Sequence, residues 1–529
     1  LLASPYGVND DPGITATFRS GYEQAVFMLD TLPGEPRNIL VSAMPIASDP
    51  FIRIEKLDIY NRRRVPVANA PVRWASFVAD AAGEVRFAMG ADTDNVSKLF
   101  YREARGDRWR LVNDQQASKH REFALGFSQD GAVAYLQIEH DTGPDSIASW
   151  DPATGTYTQL LRDEVVDPYR ILYDLDGSTP IGAAYMTDRV YNRFFDENAP
   201  TAKFYRSLQR AFSADAVRMT SATADGRHVL VYVWSDRNNG DYFLFDTVEN
   251  RADRVFSRRE WFLPDKVPPS KYVSLRARDG RPLHGYLTEP LEAATGPRPM
   301  VLLPHGGPFG VFDEWEFDDD AQMLAEAGYA VLRVNYRGSG NYGREHTVAG
   351  IREWGGSMQD DLTDATRWAI QQGIADPSRI CIYGASYGGY AALMGVAKEP
   401  DLYRCAVGYV GVYDLELRHR DLSDEGRLAR TWAQDWMGER NALAGRSPTR
   451  LADRIKVPVF LAAGGKDERA PLEQSERMEK ALKKAGVPVE TLYFPNEGHG
   501  FYTEPHRREY YTRLLGFLSR HLGGAPAQP

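Results

Sequence analysis

Only two cysteines, Cys381 and Cys405, occur in 529 residues, so no disulfide framework organises this chain. Each sits in an apolar run and reads as a buried small hydrophobe, not a nucleophile. No apolar stretch approaches the length of a membrane span, which argues against a membrane partner. Positive charge is also short: 63 Lys and Arg against 73 Asp and Glu leave a net charge of -10. That balance disfavours nucleic acid or an anionic surface as the main partner, because both require concentrated positive charge. The one conspicuous basic run, Arg62-Arg63-Arg64, reads as a solvated loop or strand end. No metal-ligating set and no cofactor motif is read. The sequence opens on Leu1 and not on Met, so targeting cannot be judged and the compartment, cytoplasmic or periplasmic, stays open.

What is present is ordinary globular composition, 43% apolar and 26% charged, in a chain too long for one hydrophobic core. Residues 1–265 are rich in short alternating runs such as Glu84–Met89, Ala132–Ile138 and His228–Trp234, each opened by a turn glycine. Gly34, Gly83, Gly131, Gly177 and Gly226 recur at intervals of 49, 48, 46 and 49. Strand ends at Asp58, Glu103, Asp151 and Asp246 follow the same phase. Four short strands per period in the high forties predict β-propeller blades; the alternative is an irregular β-sandwich. Five blades are visible, and an N-terminal truncation that removed one or two more is left open. Tyr185–Phe212 breaks the pattern and is either an insertion or a distorted blade.

The Pro-rich stretch Phe262–Ser270 reads as a linker. Beyond it, over 266–529, the period changes. Apolar strands at 300–303, 330–334, 380–383, 405–410, 457–462 and 489–494 alternate with helical patterns at 318–327, 358–372, 472–485 and 505–522. Such alternation predicts βαβ units and a mostly parallel sheet, an α/β-hydrolase arrangement. The tail from about residue 523, Gly-Gly-Ala-Pro-Ala-Gln-Pro, has nothing to build a core with and is expected to be disordered.

One motif stands at the centre of this half. Gly384-Ala-Ser386-Tyr-Gly388 follows a short β-prone run and precedes a small-residue helix, the sequence form of a nucleophile elbow. A serine hydroxyl needs a base within reach and an acid to orient that base. Asp467 and His499 follow in the required order, each on a loop directly after a predicted strand. Glu468 and His506 are weaker candidates for the same roles. The oxyanion of acyl transfer needs two preorganised donors, assigned to the backbone N–H groups of Tyr387 and Gly307. Gly307 lies in Pro304-His-Gly-Gly-Pro308, where His305 is expected to brace the loop; the plain alternative is a Gly-Pro turn.

As a set, His305-Gly-Gly-Pro308, Asn335-Tyr-Arg-Gly-Ser339 with Tyr342-Gly343, Gly384–Gly389, Gly465-Lys-Asp467 and Gly498-His-Gly500 resemble the prolyl oligopeptidase family of serine peptidases, especially its acylaminoacyl-peptidase-like branch. The resemblance covers nearly all of 271–522; over 1–265 it is architectural only. It implies hydrolysis of short peptides, with a propeller capping the site, and it supports Gly307 as a donor. Three departures stand out. Ala470 replaces a Val, no clear pair of glutamates of the kind dipeptidyl peptidases use is found (Asp196-Glu197 being a weak substitute), and five blades fall short of the common seven.

The expectation is therefore a serine peptidase acting on short peptides through Ser386, Asp467 and His499. A dipeptidyl-peptidase-type exopeptidase, a carboxylesterase with the same triad, and a non-catalytic propeller that binds partners are the alternatives. Substrate-gripping residues come from several separate loops and cannot be read from the sequence. Homo-oligomer formation is left open.

Overall fold

The computed structural model describes residues 24–523 apart from 33 and 294. Pro33 of the first repeat turn and the tail beyond 523 lie outside the described residues.

Among the described residues the repeat forms five blades of a β-propeller. Antiparallel four-stranded meanders occupy 24–69, 76–114, 122–162 and 216–257, with a three-stranded sheet over 170–194. Gly83, Gly131, Gly177 and Gly226 hold φ of 77°, 68°, 74° and 65°, in the left-handed region where a side chain is disfavoured. Each closes the same hairpin, its N–H donating three residues back at 2.7–2.9 Å (to Asp80, Ser128, Asp174 and Thr223). The period was visible because four of the described blades share this turn. Tyr185–Phe212 resolves into strand Val190–Phe194 and helix Pro200–Ala211, which takes the place of a fourth strand. That helix buries Ala202, Tyr205 and Leu208 against Val217, Val229 and Val231 of the next blade.

Apolar seams join successive blades: Leu40, Ile54, Phe77 and Val85; then Phe87, Tyr101, Phe127 and Trp150; then Ile147, Val166, Ala183 and Tyr185. In the basic run, Arg62 takes φ 63° in an exposed turn, while Arg64 enters a strand and pairs with Glu55 at 3.1 Å.

The second half is an eight-stranded sheet. Its spatial order is Ser270–Arg276, Pro282–Thr288, Ala330–Asn335, Arg298–Leu302, Ala375–Ala385, Cys405–Tyr409, Val459–Gly464 and Val489–Phe494. The first three pair antiparallel in succession, and from Ala330–Asn335 onward every pair is parallel. Helices Ser357–Gln371, Tyr387–Lys398 and Leu472–Ala485 cover one face, and helices Asp319–Glu326 and Glu504–Leu522 the other. Burial on both faces is why these strands read as continuous apolar runs. The reading of Cys381 and Cys405 as independent buried hydrophobes needs correction. They are directly opposed on neighbouring parallel strands, with Cα atoms 4.8 Å apart, and are joined as a disulfide. Sequence spacing of 24 residues gave no hint of that register.

The propeller seats on the sheet edge that carries the glycine loop. Tyr286 Oη donates to the Thr187 carbonyl (2.7 Å), Asn341 Nδ2 to the Met186 carbonyl (3.2 Å), and Gly343 N–H to Asp167 (2.9 Å). Met186, Trp234, Tyr286 and Trp315 close a shared apolar core beside them.

Candidate active site

Strand Ala375–Ala385 ends at Ser386, which takes φ 58° and ψ -119° before helix Tyr387–Lys398 begins. A non-glycine residue held there is strained, and such strain concentrates at functional turns. The elbow closes only because its flanks lack side chains. A Cβ on Gly384 would stand 2.5 Å from the Gly388 carbonyl carbon, and one on Gly388 would stand 2.2 Å from the Pro304 oxygen. Ser386 is partly exposed, and its N–H donates to the Tyr409 carbonyl at 2.9 Å.

The acid and base come from the next two strand ends. Asp467, after Val459–Gly464, accepts at Oδ1 from the N–H groups of Arg469 (2.9 Å) and Ala470 (2.8 Å). His499 Nδ1 donates to the same carboxylate, 2.8 Å from Oδ2 and 3.0 Å from Oδ1. Fixing Nδ1–H on the carboxylate leaves Nε2 as the free basic nitrogen. Glu468 points away into solvent.

The His499 loop is built tightly. A Cβ on Gly464 would come within 2.3 Å of the Gly498 oxygen. Phe501 N–H donates to Tyr409 Oη at 2.6 Å, so Tyr409 ties the histidine loop to the elbow through one residue. Glu497 accepts from Thr503 Oγ1 (2.6 Å), Tyr502 N–H (2.8 Å), Thr503 N–H (3.2 Å) and His506 Nδ1 (2.6 Å). Burial alone would raise its carboxyl, but these donors outweigh it and hold the pKa at about 2. His506, a weak candidate base on sequence, thus braces this loop, stacked 3.9 Å from Phe494. Among the described residues no hydrogen bond joins Ser386 Oγ to His499; such contacts are often long until substrate is bound.

Tyr387 and the glycine loop of Gly307 lie beside the elbow. Tyr387 opens its helix, so its N–H has no intrahelical acceptor. Gly307 is exposed at φ 110°, and a Cβ on neighbouring Gly306 would lie 3.6 Å from Ser386 Cβ. The Asn335–Ser339 motif holds this loop. Asn335 Oδ1 accepts from Asp313 N–H (2.6 Å) and its Nδ2 donates to the Asp313 carbonyl (3.2 Å). Tyr336 stacks on the His305 ring at 4.4 Å and donates to the His305 carbonyl at 2.9 Å. Arg337 pairs with the buried carboxylate of Asp361 at 2.8 Å, and Ser339 Oγ meets His305 Nε2 at 2.8 Å. Burial lowers the His305 pKa to about 4, so it is a neutral brace at pH 7 and not a competing base.

Sequence reasoning missed an aromatic wall beside this loop. Phe309, two residues after Gly307, meets Trp436 edge-on at 4.6 Å and Trp432 at 6.1 Å. All three are half-buried. The tryptophans sit on helix Arg427–Trp432 and the turn Ala433–Met437. Their spacing of four was the available signal, one turn of helix apart, in a stretch that carried no motif. Glu197 is bound bidentately by Arg206 (2.7 and 2.9 Å), so it is not a free anchor.

The propeller, the α/β-hydrolase sheet and the elbow define the class: a serine hydrolase of propeller-plus-hydrolase architecture. Residues 315–525 match the sequence profile of the prolyl oligopeptidase family. The chain is 29% identical over 506 residues to dipeptidyl aminopeptidase BIII of Pseudoxanthomonas mexicana, covering 93% of this chain and 73% of that protein. It is also 29% identical over 233 residues to the human acylamino-acid-releasing enzyme, 42% of this chain and 32% of that one. A solved puromycin-hydrolyzing peptidase of Mycobacterium tuberculosis superposes with a TM-score of 0.76 at 20% identity, over 96% of this chain and 80% of that one. Over residues 315–525 the chain thus carries a domain similar to the prolyl oligopeptidase family, and the relatives it aligns with are named as peptidases or peptide-releasing enzymes. Among the described residues, no helix is long and apolar enough to cross a membrane.

Proposed function

We propose that this peptidase cleaves short peptides through an acyl-enzyme on Ser386, with His499 as base and Asp467 as its orienting acid. The single observation that supports it most is the Nδ1–carboxylate bond of 2.8 Å on a loop tied by Tyr409 to the strained elbow. His499 Nε2 takes the Ser386 proton as Oγ attacks the acyl carbonyl. The N–H groups of Tyr387 and Gly307 receive the oxyanion, His499 protonates the leaving amine, and water repeats the cycle. The wall of Phe309, Trp432 and Trp436 takes the side chain on the acyl side, favouring aromatic residues there. The propeller, reaching to about residue 265, restricts entry to small peptides ahead of a hydrolase domain over the remainder.

An acylaminoacyl-peptidase or oligopeptidase type fits a site with no free carboxylate at Glu197. A dipeptidyl type is the second reading, favoured by the Pseudoxanthomonas relative that aligns over nearly the whole chain. A panel of N-acetylated, free dipeptidyl and proline-containing p-nitroanilides with short-chain esters separates them. Turnover of esters alone overturns the peptidase reading for this site, and a fluorophosphonate probe that fails to label Ser386 overturns the nucleophile.

A further inference from the structure

We propose that Arg427 is a positioning residue through which the propeller sets the shape of the aromatic wall, and with it the preference for aromatic over small acyl-side residues. This rests on the reading of Phe309, Trp432 and Trp436 as that wall.

The Arg427 guanidinium leaves the hydrolase half and is used up on two blades. Nη2 donates to Asp49 Oδ1 at 2.6 Å and Nε to Asp49 Oδ2 at 3.3 Å. Nη1 donates to the Thr93 carbonyl at 2.6 Å and to Asn95 Oδ1 at 3.1 Å. Asp49 lies between strands Asn38–Pro45 and Arg53–Asp58 of the first blade; Thr93 and Asn95 lie between Val85–Ala91 and Ser97–Tyr101 of the second. Arg73 Nη1 in turn holds the Asp49 carbonyl at 2.6 Å, so the acceptor is itself fixed. Bidentate, charge-assisted contact of this kind sets geometry as well as energy.

Arg427 stands at the start of the segment that carries both tryptophans. Gly426 precedes it at φ 141°, a backbone state that lets the helix begin at an independent angle. The far end is held from within the hydrolase half: Arg352 N–H donates to the Trp436 carbonyl (2.8 Å), and its guanidinium to the carbonyls of Asp435 and Gln434 (3.2 Å each). Between these ends Ala433 and Met437 are buried in the hydrolase core, and the indoles lie between a hydrolase clamp and a propeller clamp. Removing the propeller clamp leaves the hydrolase clamp, the elbow and the His499 loop untouched, and frees only the wall. Peptide side-chain preference thus depends on how the domains are seated.

The test measures kcat and KM on matched phenylalanyl and alanyl p-nitroanilides bearing the N-terminal group the wild-type enzyme accepts. Arg427→Ala and Asp49→Ala are each expected to lower the Phe-to-Ala ratio of kcat/KM about tenfold, through KM. The double variant is expected to be no worse than either single one, as for two ends of one contact. Arg427→Lys, which keeps the charge and loses the fork, is expected to recover part of the ratio. Fluorophosphonate labelling of Ser386 is expected to stay at the wild-type rate in all of them. An unchanged ratio in Arg427→Ala and Asp49→Ala, with a fallen ratio in Trp436→Ala, overturns the positioning role and leaves the wall intact. An unchanged ratio in Trp436→Ala overturns the wall itself. Equal loss on both substrates together with lost labelling overturns the proposal in favour of a general folding effect.

Discussion

The two halves of this chain bury themselves by different means. In the hydrolase sheet, strand Ala330–Asn335 is buried at all six positions, including Arg333 and Asn335. In the fifth blade, outer strand Arg251–Ser257 is exposed at six of seven. A parallel strand with helices on both faces has no polar side, whereas a blade's outer strand faces solvent and retains its charges. The seams differ too. Inner blade positions stack arginine on aromatic rings: Arg86 lies 4.6 Å from the Phe127 centroid and Arg170 4.8 Å from Tyr169. The hydrolase interior instead packs uncharged aliphatic and aromatic residues around helix Tyr387–Lys398, which is buried at eleven of its twelve positions. In the propeller Arg86 and Arg170 are packing elements, while in the hydrolase half the Arg337–Asp361 pair holds the loop beside the site.

That contrast breaks most visibly at Asp467. Asp467→Asn keeps the size of the side chain and removes the acceptor that fixes the His499 tautomer, so kcat is expected to fall about ten-thousandfold with folding unchanged. Steady-state kinetics beside circular dichroism check it; a loss under tenfold would remove Asp467 from the triad.

The next largest effect separates a charge that holds the site from one that packs a seam. Arg337→Ala strands the Asp361 carboxylate, which is fully buried, and is expected to cost about 3–5 kcal/mol in urea unfolding. Because Arg337 lies between Tyr336 and the Ser339 brace of His305, activity should fall at temperatures where the variant is still folded. Arg86→Leu, by contrast, replaces a guanidinium that stacks on Tyr101 and Phe127 and donates to the Gly131 carbonyl at 2.7 Å. Leucine is shorter but keeps an apolar stem against the seam, so about 1–2 kcal/mol is expected, with kcat unchanged. Equal losses for the two would erase the distinction between the halves.

How much of this was legible in the sequence follows the same division. The elbow, Asp467 and His499 could be read because a parallel sheet delivers chemistry at strand ends, and each strand end carries a local signature of apolar run and glycine. The blades could be read because one turn, with its left-handed glycine, is repeated. The partners of Arg427 could not, since Asp49 is 378 residues away and a loop carboxylate has no periodicity. The Cys381–Cys405 bond depends on the register of two strands, which spacing does not encode. His506 looked like a surface helical residue because its partner, Glu497, belongs to the loop before the helix. Trp432 and Trp436 lay in a run of short helices, Leu415–Trp432 and the turns after it, whose mixed polarity gave no single period.

The smallest effect is also the one whose pH dependence can be worked out. Glu497 is held at a pKa of about 2 against an ordinary 4.5. A depressed carboxylate contributes stability that is complete above the ordinary value and is lost as pH falls through the folded one. The window is therefore from about pH 4.5 down to about pH 2. Glu497→Gln cannot ionise, so it lacks that contribution at every pH. The stability gap between wild type and variant is expected to be widest at neutral pH and to close across that window. Because the loop it braces carries His499, the wild-type enzyme should lose the fixed His499 geometry on acidification before its blades unfold. Hydrogen exchange at 498–503, followed against pH beside the blade hairpins, reads this directly. A gap that stays constant from pH 7 to pH 2 would show that the carboxylate's charge contributes nothing to the loop and that Gln fills the same place.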